Sequence, residues 1–60
     1  IPLDIIFIRR DGTIESIAAN TTPDTLDPVR SNEPVATVLE IAAGRAAELG
    51  LAPGDTVTWQ

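Results

Sequence analysis

Apolar residues fall along this chain in short runs separated by turn-type residues, and that spacing predicts strands with one brief helix. Leu3 to Ile8 is almost continuous in apolar side chains, the pattern of a strand covered on both faces, with Asp4 as its one polar interruption. Arg9-Arg10-Asp11-Gly12 then predicts a turn. A three-residue loop of Arg10, Asp11 and Gly12 suits it, with the glycine at positive φ. That loop sets Ile8 opposite Ile14 and Ile5 opposite Ile17, whereas a two-residue Asp-Gly loop would set Ile8 against Glu15. Thr13 to Ala18 is the returning strand. Ile14 and Ile17 break strict alternation within it, which predicts a bulge or bend.

The stretch from Asn20 to Pro34 carries Pro23, Pro28 and Pro34 among Thr, Asp, Ser and Asn, and reads as a loop too long for an ordinary connector. Leu26 and Val29 are its candidate apolar anchors, so the loop is expected to wrap around the body. Val35 to Ile41 returns to strand character, with Val35, Thr37, Leu39 and Ile41 on one phase and Val38 and Glu40 on the other. This strand is expected to be buried on both sides near its middle. Arg45 to Leu49 supplies a little over one helical turn, stopped by Gly50 in the left-handed C′ position. Pro53-Gly54-Asp55 turns the chain into a final strand, Thr56 to Trp59. The prediction is a single small α+β domain over residues 1–60, mostly β. It would be a small antiparallel sheet, or a partial barrel or sandwich, in the order β-β-long loop-β-α-β.

Size and composition narrow the means of stabilisation. A chain of 60 residues buries only about 60% of its unfolded surface, and domains this small often lean on disulfides, metals or a partner chain. The sequence holds no cysteine and no histidine, so disulfides and Cys/His zinc sites are excluded. Phe7 and Trp59 are the only aromatics, which leaves an aliphatic core, with Trp59 expected to cap it through its ring. Nine acidic residues against four arginines give a net charge of −5. That balance argues against nucleic acid and against anionic membrane surfaces. The sequence also has no apolar run long enough for a membrane span. The start at IPLDIIFI, without Met and straight into a core-type strand, predicts a fragment that begins inside a domain, incomplete at its N-terminus. Any targeting segment would then lie upstream, and the compartment is not legible.

The candidate chemistry is sparse. Asp4 and Glu40 each interrupt an apolar strand and are the two candidates for a functional polar site, as carboxylates able to carry protons. The simpler reading is that they accept backbone hydrogen bonds at strand edges, as Asp55 is expected to do within its turn. Ser16 and Ser31 have no imidazole or lysine to activate them. Asp24 and Asp27, with Thr22 and Thr25, form too thin an oxygen set for calcium. Gly44 at a helix start offers backbone donors to an anion, without the second glycine or lysine of a phosphate site. No catalytic, cofactor-binding or metal-binding residue is assigned, and no enzyme activity or cofactor is predicted.

Longer patterns carry more. Ala47-Glu48-Leu49-Gly50-Leu51-Ala52-Pro53-Gly54-Asp55 looks like a segment of PDZ peptide-binding domains, but the carboxylate-binding glycine loop of that family is missing. A short helix followed by a Gly-Asp turn and a strand also resembles swapped-hairpin transcription regulators, which bind DNA through basic residues this chain lacks. A third resemblance runs end to end. Ile1-Pro2-Leu3-Asp4-Ile5, Phe7-Ile8, Gly12 and Ile14 are followed by Ser31, Pro34, Val38-Leu39-Glu40 and Gly44. Leu49-Gly50-Leu51 and Gly54-Asp55-Thr56-Val57 complete the pattern. Together they resemble the later part of domain of unknown function 192, without the aromatic-rich segment that precedes IPLD in that family. The resemblance implies an uncharacterised bacterial β-rich domain with a short helix, often behind an export signal and so exported or periplasmic. It supplies no catalytic or ligand residues. A non-catalytic binding or structural module is the function expected, with a DNA-binding regulator and a PDZ-like fragment as alternatives. Open strand edges are expected to pair with a second copy or another chain.

Overall fold

Arg9, Gly12 and Thr13 close the first hairpin and thereby fix the register of the sheet. Gly12 N–H donates to Arg9 O at 2.9 Å and Arg9 N–H to Thr13 O at 2.8 Å. Gly12 takes φ 90°, the left-handed conformation that glycine reaches without steric cost. The loop is therefore the three-residue form, reinforced by Asp11 Oδ1, which accepts both the amide (2.9 Å) and the hydroxyl (2.6 Å) of Thr13. A computed structural model describes residues 1–22 and 29–58. Leu26, Asp24, Asp27 and Trp59, read above as a loop anchor, two weak calcium ligands and a core cap, lie outside the described residues.

The elements are β1 (Leu3–Ile8), β2 (Ile14–Thr21), β3 (Thr37–Ala42) and a helical turn α1 (Arg45–Glu48). They form an antiparallel sheet in the order β2-β1-β3. The apolar run β1 is thus the central strand, as its composition predicts. β2 and β3 run parallel to each other on either side of it, so the stretch between them is a crossover. β2 extends to Thr21, three residues beyond the predicted end of that strand.

Ile8 pairs with Ile14 as expected, but Ile5 does not face Ile17. Ile17 stands opposite Ile6, and Ile5 opposite Ala18. The cause is a bulge: Phe7 pairs with Ser16 and Ile8 with Ile14, so Glu15 is the extra residue on β2. A second shift between Leu3 and Ile5 places Leu3 opposite Thr21, next to Asn20 at φ 54°. The Glu15 bulge puts Ile6, Ile8, Ile14 and Ile17 on one face. Ile6, Ile8 and Ile14 are fully buried there, with Ile17, Ile41, Leu51 and Val57 packed around them.

The C-terminal segment covers that face. α1 ends in a Schellman arrangement, with Gly50 N–H donating to Ala47 O (3.1 Å) and Leu51 N–H to Ala46 O (3.0 Å), and with Gly50 at φ 69°. Leu51 is turned back onto the core. The predicted final strand is reduced to one bridge, Thr13 with Thr56, among the described residues. Gly54 N–H and Val57 N–H donate to Ile14 O and Gly12 O, and Ile14 N–H to Asp55 O, each at 2.8 Å. The bulge at Glu15 re-aims the edge of β2 immediately afterwards, so the ladder does not extend.

Two other expectations are corrected. β3 is an exposed edge strand rather than one buried on both sides, with Val38 52% and Leu39 40% exposed. Val29 is not a seated anchor, being 41% exposed. The described part of the crossover is held by polar contacts. Asn32 N–H donates to Glu15 Oε2 at 2.9 Å, Arg9 Nε to Glu33 Oε1 at 2.9 Å, and Ala36 N–H to Ile8 O at 3.0 Å.

Candidate functional site

Asp4 stands on the core face of β1, opposite Ile41, and is 1% exposed. Burying a carboxylate is costly unless its oxygens are satisfied, and here the main chain satisfies them. Oδ1 accepts Asn20 N–H at 2.9 Å, and Oδ2 accepts Gly44 N–H and Ala46 N–H, each at 3.0 Å. The Asn20 amide comes from the β2 bulge, and the other two come from the start of α1. These donors, Asn20 foremost and then Ala46 and Gly44, hold the Asp4 carboxyl below its ordinary value of 3.8, outweighing the burial that works in the opposite direction. The anion that the Gly44 turn could receive is therefore the protein's own Asp4.

Glu40 lies elsewhere. It pairs with Ile5 in the register that pairs Asp4 with Ile41. Side chains alternate along a strand, so the two carboxylates project from opposite faces of the sheet. Glu40 is exposed at the edge. The pairing that a shared acid–base site would need is not made.

A third carboxylate, Glu15, is more enclosed than its sequence position suggests, at 8% exposed. It accepts the Ser16 hydroxyl and the Asn32 amide, joining the bulge to the crossover. Arg9 lies beside it. Its Nη1 donates to Ile14 O at 3.2 Å and to Thr13 Oγ1 at 3.3 Å, while Glu33 holds its guanidinium firmly charged. Sequence reading passed over Glu15. The available signal was an acid lying between the out-of-phase Ile14 and Ile17. Asp55 does close its turn, accepting Ala52 N–H at 2.9 Å. Among the described residues no three acidic side chains come together as a metal would require, and no helix is long and apolar enough to cross a membrane.

A further surface feature is apolar. Among the described residues, the C-terminal cover runs from the Asp4 end of β1 to the outer side of β2. A groove of ≈ 430 Å³ is lined by Ile8, Thr37, Leu39, Val57 and Thr58. Ala43 N–H donates to Pro2 O at 3.2 Å, which sets the alternation of the β1·β3 ladder. Val38 and Glu40 consequently direct their N–H and C=O groups outward. Among the described residues nothing bonds to them.

Comparison with known proteins places this arrangement. A solved protein of unknown function from Novosphingobium aromaticivorans DSM 12444 is 49% identical and superposes with a TM-score of 0.90, over 98% of this chain and 42% of that one. A Sinorhizobium meliloti 1021 protein, described as a "putative transcription regulator", is 48% identical with a TM-score of 0.87, over 93% of this chain and 43% of that one. The chain thus spans less than half the length of these solved relatives. No curated protein matches it. The sequence matches the DUF192 family, described as "Uncharacterized ACR", over residues 1–59. The chain belongs to the DUF192 family.

Proposed function

We propose that this protein is a non-catalytic binding or structural module whose working surface is the β3 edge with its adjoining groove. The observation that carries the reading is the use made of Asp4. The most enclosed carboxylate among the described residues, 1% exposed, accepts three main-chain amides across its two oxygens, so it is bound into the fold rather than presented to a substrate. Glu40 lies on the opposite face of the sheet from Asp4. Metal analysis of the purified protein and turnover assays on ester, phosphoester and peptide substrates test this reading. Neither stoichiometric metal nor turnover is expected. Turnover that is lost in a folded Asp4→Asn variant would overturn it.

A second reading, a DNA-binding regulator, has one observation in its favour, the description of the Sinorhizobium meliloti relative. The net charge of −5 opposes it. A gel shift at low salt separates the two readings, because a DNA-binding protein would retard duplex DNA there and lose it as salt is raised.

A further inference from the structure

We propose that the C-terminal cover, residues 43–58, opens and closes as one unit under the control of the segment around Glu33, with Arg9 as the coupling residue. This conformational device is independent of the binding role proposed above.

The cover is fastened to the sheet at two places, and each fastening is shared with the connection between β2 and β3. At the start of β1, Asp4 takes the Gly44 and Ala46 amides of the cover together with the Asn20 amide near the end of β2. Just beyond the end of β1, Arg9 plays the corresponding part with donors. Its Nε donates to Glu33 Oε1 at 2.9 Å, and its Nη1 donates to Ile14 O at 3.2 Å and to Thr13 Oγ1 at 3.3 Å. Thr13 and Ile14 are the residues on which the cover lands. Thr13 forms the bridge with Thr56. Ile14 O also accepts Gly54 N–H, and Ile14 N–H donates to Asp55 O, each at 2.8 Å. One planar guanidinium thus fixes Glu33 relative to the landing site, a fork that a lysine cannot reproduce.

Between its fastenings the cover is lightly seated. Leu51 and Val57 pack against Ile6, Ile8 and Ile14, whereas Leu49 is 56% exposed. A segment with few buried apolar contacts opens as a unit, below the free energy of global unfolding. Displacement of Glu33 and opening of the cover therefore depend on the same guanidinium, and a coupling of this kind is reciprocal.

The test is native-state amide exchange of the full 60-residue chain. The Ala46, Gly54 and Val57 amides should exchange together, and faster than Ile6 in the middle of the sheet. Glu33→Gln removes an ion pair outside the cover, yet should speed Gly54 and Val57 about threefold, the scale of an exposed pair. Glu40→Gln makes the same change of charge away from Arg9 and should leave both rates unaltered. In an Arg9→Lys background, Glu33→Gln should no longer change the Gly54 rate. Val57→Ala loosens the cover and should in turn speed the Asn32 amide. Circular dichroism of each variant establishes that it is folded. A cover that exchanges no faster than Ile6 would overturn the inference, as would Gly54 and Val57 rates unmoved by Glu33→Gln or an Asn32 rate unmoved by Val57→Ala. Acceleration that persists in the Arg9→Lys background would remove Arg9 as the coupling residue and overturn it equally.

Discussion

Asp4 Oδ2 accepts the amide of Ala46 at 3.0 Å across 42 residues of sequence. The same oxygen takes the Gly44 amide, while Oδ1 takes that of Asn20. One side chain on the central strand therefore holds the β2 bulge on one side and the start of α1 on the other. Ala46 is itself buried, so its amide has no water to turn to when Asp4 is removed.

Asp4→Asn is accordingly expected to destabilise the protein more than substitution of any exposed acid. The new amide can offer one oxygen, but its NH2 group confronts backbone donors. Urea unfolding should show a lower midpoint, and hydrogen exchange at Gly44, Ala46 and Asn20 should accelerate together. A midpoint equal to that of Glu40→Gln would contradict this account.

The pH dependence follows from the depressed carboxyl of Asp4. Its contribution is fully present above the unfolded value, near 3.8, and is lost as pH falls through the lower folded value. Asp11, held down chiefly by the Thr13 hydroxyl and then by the Thr13 amide, acts in the same direction. Wild type and Asp4→Asn should differ in stability at neutral pH and converge on acidification below that value. A constant difference down to the acid transition would show that Asp4 acts without its charge.

Glu15→Ala tests how the crossover is held. Loss of the Glu15–Asn32 bond should speed exchange of the Asn32 amide by about tenfold, on the scale of one hydrogen bond to a charged group. The Ile6 amide, inside the ladder, should change far less. Val29→Ala should alter stability by no more than about 0.5 kcal/mol, since Val29 is exposed.

Gly50→Ala isolates backbone conformation from packing. A Cβ at Gly50 meets nothing within 4 Å, yet φ is +69°, so the cost is the left-handed conformation alone, about 1 kcal/mol. Ile14→Ala, by contrast, empties a fully buried site and should cost about 3 kcal/mol. Thermal unfolding of the two variants should rank them in that order.

What the sequence by itself determined is local. The apolar run of β1, the Arg10-Asp11-Gly12 loop, the Gly50 stop and the Asp55 turn are set by a few neighbouring residues, and each forms as its residue types predict. Their order and spacing also carried the family resemblance, which the match over residues 1–59 bears out. The tertiary structure decided what depends on distant partners. A single bulged residue, Glu15, moved Ile17 from Ile5 to Ile6, because one extra residue on a strand flips every side chain beyond it. β3 has an alternating pattern equally suited to a central or an edge strand, and only the order β2-β1-β3 left it exposed. Asp4 read as an isolated interruption of a strand. Its role emerged only when folding brought it the amides of Asn20, Gly44 and Ala46, because a buried carboxylate takes its meaning from the donors around it.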